Sequence, residues 1–230
     1  MQYFMGLWAR ICRVRLRTWL VVAVVGIPPA WAVLYSWPTS THYRLTLDIA
    51  VDGVVHSGSG VIEGKWYPAL PFLRGLAGGR TGNSEVHGEA VVVDLGDRGL
   101  LFVLLTGPQM KAAGSGEMYY DGNPELVLWR ADPRKEWVDL PISGLPRLVR
   151  FRDIRDPLSV EQVDPMNLAA TLGRGVTFER ATLAITDAPV TSGITKKLSW
   201  LTHLKSNLDG TWLTSSNNLS NNIGKLSFKR

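Results

Sequence analysis

Hydrophobic and polar residues alternate most cleanly in Tyr43-Arg-Leu-Thr-Leu-Asp-Ile-Ala-Val51, which places Tyr43, Leu45, Leu47, Ile49 and Val51 on one face of a strand. Asp52-Gly53 follows, a pair whose tolerance of positive φ suits a two-residue hairpin turn, and the returning strand runs from Val54 to about Trp66. The turn sets the register: Val51 faces Val54, Ile49 faces His56, Leu47 faces Gly58, Leu45 faces Gly60 and Tyr43 faces Ile62. Two glycines opposite two leucines leave a groove on the apolar face, where another element can approach closely. The opposite face pairs Thr46 with Ser59 and Asp48 with Ser57, and is polar and wet.

Further along, Pro68 to Glu85 is rich in Gly and Pro and reads as a surface loop. Val86–Leu95 and Leu100–Leu105 flank Gly96-Asp97-Arg98-Gly99, a second hairpin. Their runs Ala90–Val93 and Leu100–Leu105 do not alternate, which predicts strands covered on both faces. A loop from Gly107 to Pro124 precedes a strand at Leu126–Arg130. Asp164 caps a helix with Pro165 at its first position, Met166–Leu172 carries it and Gly173 ends it. It lies between strands Leu158–Val163 and Val176–Thr186. A second helix starts at Ser192 or Gly193, with Ile194, Leu198 and Leu201 inside and Lys196 and Lys197 outside. The tail from Asn207 is rich in Ser and Asn and reads as loosely ordered, with Lys225–Phe228 available as an edge strand. No internal repeat stands out.

A different pattern governs the N-terminus. Arg10, Arg13, Arg15 and Arg17 precede the uncharged run Thr18–Trp37, whose twenty residues, at about 1.5 Å each in a helix, match a hydrocarbon layer of about 30 Å. The basic flank predicts a cytoplasmic N-terminus and an exported remainder. Ala30-Trp31-Ala32 offers a signal-peptidase site, and Pro28-Pro29 a helix break. The return of apolar character in Ala32-Val33-Leu34, with Trp19, Tyr35 and Trp37 as interfacial anchors, favours a retained anchor. Phe4, Leu7, Trp8 and Ile11 share one helical side in the segment before it, though Arg15 interrupts that side.

The anchor also accounts for the charge. The chain carries 25 Lys and Arg against 20 Asp and Glu, with a pI near 9.5. Four of those Arg lie before Thr18, so the rest balances at 21 against 20 and has no overall basic field for nucleic acid. The single cysteine, Cys12, sits on the cytoplasmic side, so the exported part contains no disulfide. The expected organisation is a basic cytoplasmic segment over 1–17, a transmembrane helix over 18–37, a β-rich exported domain over 42–206 and a polar tail over 207–230. The expected fold class is α+β and β-rich: antiparallel hairpins with two short helices in the C-terminal half.

Three blocks carry a resemblance: Tyr43-Arg-Leu-Thr-Leu with Val51-Asp-Gly-Val-Val-His-Ser-Gly-Ser59, Gly88-Glu-Ala-Val-Val-Val-Asp-Leu-Gly-Asp97, and Val149-Arg-Phe-Arg-Asp153 through Asp156-Pro, Ser159-Val, Val163-Asp-Pro165 and Asn167-Leu. Over residues 43 to 201 the chain resembles an uncharacterised family of small bacterial proteins with one N-terminal membrane segment, the third block being the most specific. The resemblance implies a bacterial, membrane-anchored protein. It implies no activity, cofactor or site residue.

Chemistry-bearing residues are sparse. His42, His56, His87 and His203 show no i, i+4 pair, and no exported cysteine supplements them as metal ligands. His56 on the apolar face of the first hairpin reads as a satisfied core histidine. Gly58-Ser59-Gly60 and Gly114-Ser115-Gly116 lack the leading Gly of a nucleophile elbow. Gly75–Gly82 lacks the Gly-Lys-Ser/Thr ending of a phosphate loop, and Asp121–Glu125 lacks the central Gly and distal Glu of a calcium loop. In Arg150–Asp156, Val149 and Phe151 face inward while Arg150 and Arg152 face out or pair with Asp153 and Asp156. No catalytic, cofactor or metal residue is assigned. The expected function is a non-enzymatic, membrane-anchored envelope module that contacts the bilayer through Thr18–Trp37 and binds an envelope protein, with no nucleic acid and no cofactor. The expected location is a bacterial inner membrane, single pass, with the domain outside. The alternative is an envelope hydrolase in which His56 or His87 works beside Ser59, Asp48 or Glu89.

Overall fold

The first hairpin is the seed of a five-stranded sheet. β1 (Thr39–Val51) and β2 (Val54–Pro68) are neighbours in the order β3-β2-β1-β9-β6, where β3 is Gly82–His87, β6 is Trp137–Asp139 and β9 is Val176–Ile185. A second sheet has the order β4-β5-β7-β8, with β4 Val91–Asp94, β5 Leu100–Pro108, β7 Pro146–Phe151 and β8 Val160–Val163. The structure, a computed structural model, describes residues 37–68, 82–108, 137–142, 145–211 and 219–230. One compact unit comprises Ser40–Lys65 and Ser84–Arg230; the other, Met1–Thr39 with Trp66–Asn83, lies almost wholly outside the described residues. The run Thr18–Trp37 up to Ser36, the glycines of 75–82 up to Thr81, Gly114-Ser115-Gly116, Asp121–Glu125 and the strand at Leu126–Arg130 also lie outside them. Among the described residues no helix is long and apolar enough to cross a membrane.

At the hairpin turn Asp52 has φ +51° and Gly53 φ +85°, the two positive values that a type I′ turn requires. Alternation on β1 translates directly into burial: Tyr43, Leu45, Leu47 and Ile49 are buried, while Arg44 is exposed and Thr46 and Asp48 are half-buried. β1 pairs antiparallel with β9 from Tyr43↔Ile185 to Val51↔Val176, with a bulge at Asp48/Ile49 that doubles Glu179 and Arg180 onto the outer face. The residues of β1 that face inward meet Val91, Val93, Leu101, Val103 and Leu148 of the second sheet in one core.

The second sheet is apolar on both sides, and this is why β4 and β5 do not alternate. Its far side (Phe102, Leu104, Val149) packs beneath α2 (Ile194–Lys197), Leu198, Leu201, Leu208, Ile223 and Phe228. The C-terminal segment is thus a third layer rather than a loose tail. Lys225–Phe228 forms a short helix (α4) instead of an edge strand, and the strand-like bridge falls one residue later, between Lys229 and Glu89. Two other short helices, α1 (Leu168–Leu172) and α3 (Leu219–Asn222), complete an antiparallel, β-rich fold with four short helices among the described residues.

Several boundaries move. Val86–Leu95 is not one strand: Val86 and His87 end β3 in the first sheet, Gly88 (φ +153°) turns the chain, and β4 continues in the second sheet. β3 also claims Gly82–Glu85 from the expected loop. The helix expected at Asp164 begins three residues late, because Asp164 Oδ1 accepts from the Met166 N–H in a separate turn; Gly173 ends the helix as expected, at φ +95°. Leu158 belongs to a 3-10 turn, Pro157–Ser159, and the strand starts at Val160.

At one end of the sandwich three connections interlock. The Asp52 N–H donates to Gly175 O at 2.8 Å, and Arg98 Nη2 donates to Arg174 O at 3.2 Å and lies 3.5 Å from Asp52 Oδ2. Gly175 has φ +83°, and a Cβ there would strike the Asp52 carboxylate. Gly175→Ala is therefore expected to lower stability by about 1–2 kcal/mol, read as a reduced urea midpoint at unchanged slope. An unchanged midpoint would mean that the loop does not need this conformation.

Candidate functional site

β2 passes every candidate histidine environment in turn. At its turn end, His56 is half-buried and its Nδ1 lies 2.8 Å from Asp94 O, where β4 ends. The ring is tied to a main-chain carbonyl at the rim of the sandwich, not inside the apolar core. Ser59, three residues on, points to the opposite face and is exposed.

Gly58 lies between them and Gly60 directly after Ser59, both on the face opposite Ser59. A Cβ on Gly58 would meet Val92 O and stand 2.8 Å from Val93 Cγ2; one on Gly60 would stand 2.9 Å from Val91 Cγ2. β4 occupies the groove that the glycines leave, so the groove is a packing contact and holds no ligand space. Here the sheets come nearer than the ~10 Å usual for stacked sheets.

The far end of β2 carries a polar cluster. Ser40 Oγ donates to Glu63 Oε1 at 2.5 Å, Lys65 Nζ lies 3.6 Å from Glu63 Oε2, and His87 Nε2 lies 3.6 Å from Glu85 Oε2. The Ser40 hydrogen bond is the main reason that the Glu63 carboxyl titrates below its ordinary 4.5; its partial burial opposes this, and Lys65 and His87 add to it. A depressed folded value means that the contribution to stability is present above the unfolded value and is lost as pH falls through the folded one. Ser40→Ala is expected to move the Glu63 titration back toward 4.5, followed by NMR of its side-chain carbonyl; no movement would assign the shift to the other neighbours.

His56 and His87 do not meet. His87 adjoins Gly88, where a Cβ would stand 3.3 Å from Ile62 Cα, and Ile62 is six strand residues beyond His56, about 20 Å away. Asp48 faces outward and pairs with Arg180 at 3.9 Å. Glu89 is buried, with Oε2 accepting from the Ile194 N–H at 2.7 Å and Oε1 2.7 Å from Lys229 Nζ. The residues proposed for hydrolysis are therefore spread over separate environments and form no joint site. Among the described residues no group of His, Cys, Asp and Glu is arranged to hold a metal ion.

Arg150 and Arg152 do pair, but with Glu161 of β8, at 3.0 and 3.1 Å, and not with Asp153 or Asp156. Those two carboxylates instead accept main-chain N–H bonds from Arg155 and Leu158 in the turn. Phe151 faces inward as expected, edge-on to Phe102 and Trp200.

Among the described residues, the outer face of the first sheet takes no part in either hydrophobic core. Across it, Asp139, Thr182 and Thr46 form one row by the strand registers, with Trp137, Ala184 and Arg44 beside them and Arg180 with Asp48 beyond. Ser57 and Ser59 of β2 extend it. Trp137 is 52 % exposed, and Arg180 bridges Asp48 and Asp139 at 3.9 and 3.8 Å. The hydroxyl pairs of the first hairpin are readable in sequence; Trp137, at the start of a three-residue edge strand, gives no such sign.

Compared with protein-family models, curated proteins and solved structures, the chain matches none.

Proposed function

We infer that the chain is a non-enzymatic interaction module, held by Thr18–Trp37 in a bacterial inner membrane with its N-terminus cytoplasmic and its β-rich domain outside. The charge and hydropathy of the first 37 residues support the tether, and the resemblance over 43–201 agrees with it. The observation that carries the binding role is the contrast between the sheets. The second is covered on both sides, while the outer face of the first carries half-buried hydroxyls, paired charges and the exposed Trp137. A face of this kind suits an envelope protein partner, since its small side chains leave room for close approach and its aromatic supplies an anchor.

The test uses the full chain in membranes, with a photo-crosslinking residue at Thr46 or Ser59 and, for comparison, at Thr202 on the far layer. One recurrent crosslinked protein from the first two sites only, lost in a Trp137→Ala chain, is the expected result. Identical products from all three sites, or none from the face, would overturn it.

A further inference from the structure

The C-terminal layer carries a charge that the whole-chain balance conceals. Residues 192–230 hold Lys196, Lys197, Lys205, Lys225, Lys229 and Arg230 against Asp209 alone, whereas residues 18–191 hold 15 Lys and Arg against 19 Asp and Glu. The fold converts that segregation in sequence into segregation in space. Ile194, Leu198, Leu201 and Phe228 point down onto the second sheet, so the polar residues between them point away from it. Lys196, Lys197, His203, Lys205 and Arg230 are exposed. The one acid is engaged locally, since Asp209 Oδ1 accepts from both the N–H and the hydroxyl of Thr211.

Two further features give the layer a specific character. Glu89 takes the Ile194 N–H on one oxygen and Lys229 on the other, which draws the basic turn of α2 and the end of the chain beside each other. Within that end Leu226 is 63 % exposed, although Phe228 two residues later is fully buried. An apolar side chain standing out among lysines and an arginine is the composition of a surface that lies on a membrane, with cations at the headgroups and the apolar tip below them. The neighbouring turn does not cancel the field, because Arg150, Arg152 and Arg155 there balance Asp153, Asp156 and Glu161, and the carboxylates of Asp153 and Asp156 are held by main-chain N–H groups.

We propose that the C-terminal layer (Ile194–Lys205 with Lys225–Arg230) is a docking surface for anionic phospholipid. It deepens the tethered reading, which supplies the nearby bilayer, and its own chemistry is the attraction of exposed Lys and Arg to lipid phosphate. Net negative charge on residues 18–191 turns this layer, and not the outer face of the first sheet, toward the bilayer.

The full chain is reconstituted into vesicles of phosphatidylcholine alone or with phosphatidylglycerol, and lysine acylation is followed site by site by mass spectrometry. With the anionic lipid, Lys196, Lys197 and Lys205 are expected to react roughly fivefold more slowly, the order expected for one basic group held at such a surface. Lys65 should be unchanged, and about 1 M salt should abolish the difference. Equal rates in the two vesicles overturn the proposal. So does protection of Lys205 that persists undiminished in a Lys196→Glu/Lys197→Glu chain, whose substitutions lie at exposed positions and leave the core intact. Flotation with phosphatidylcholine vesicles separates the two readings: a chain that fails to float loses the tether, while one that floats without lysine protection loses the docking surface only.

Discussion

Gly58→Val is expected to leave the chain unable to reach its native fold, or to reach it with most of its stability gone. A Cβ at this position meets Val92 O and, 2.8 Å away, Val93 Cγ2. A rotating side chain could yield; a main-chain oxygen fixed in the β4–β5 ladder cannot, and the two sheets would have to part. Overpacking of a core costs about 1–3 kcal/mol where neighbours adjust, and this site belongs at or above the top of that range. Set against a total of about 5–15 kcal/mol, the loss is decisive. The comparison is Ser59→Val, next along the same strand but exposed on the other face, expected to change stability by no more than about 0.5 kcal/mol. Denaturant midpoints of the two variants decide the matter: if they agree, the sheets do not touch at Gly58.

Lys229→Met has the second largest expected effect. Glu89 is 4 % exposed, and its charge is answered by one cation and one N–H. Removing the cation strands a buried carboxylate; the loss is about 3–5 kcal/mol where both partners are buried and about 2 kcal/mol here, because the Lys229 side chain is 42 % exposed. Adding Glu89→Gln should recover most of that loss, because a neutral amide oxygen still accepts from the Ile194 N–H and needs no counter-charge. A double variant as unstable as the single one would show that Lys229 acts through its packing along Gly88–Ala90 and not through its charge.

How much of this is legible in the sequence depends on the range of the interaction. The β1–β2 hairpin is, since alternation and Asp-Gly are local signals and the burial of Tyr43 through Ile49 follows them. The double coverage of Leu100–Leu105 is also legible, although nothing local names the cover. That cover is the segment from Ile194, whose helix shows in the sequence and whose later part does not: Leu208, Ile223 and Phe228 are isolated apolar residues among Ser and Asn, and only their common partner, the far side of the second sheet, reveals them as core. Val86–Leu95 reads as one strand because residue type records the tendency to extend and says nothing of which sheet receives the chain; Gly88 makes the switch. Arg150 and Arg152 find Glu161 instead of nearer acids because strand pairing at Arg150↔Glu161 outweighs closeness in sequence. For the candidate site, the hydroxyl rows of Thr46 and Ser59 are visible, and the basic layer is not, since a sum over Thr18–Arg230 averages away a charge that folding concentrates.

The pairing of β1 with β9 has a consequence in time. Tyr43 lies across from Ile185, so the five-stranded sheet cannot close until a strand more than a hundred residues away has arrived. The first hairpin can form in about 1–10 μs, yet loop closure over such a distance places completion of the sheet in the millisecond-to-second range. During that interval β1 offers a free edge and one wholly apolar face. A chain emerging in order from synthesis would therefore pass through a state in which its earliest structure is also its stickiest, and whatever shields Leu45, Leu47 and Ile49 until Leu183 reaches them governs how much of it folds.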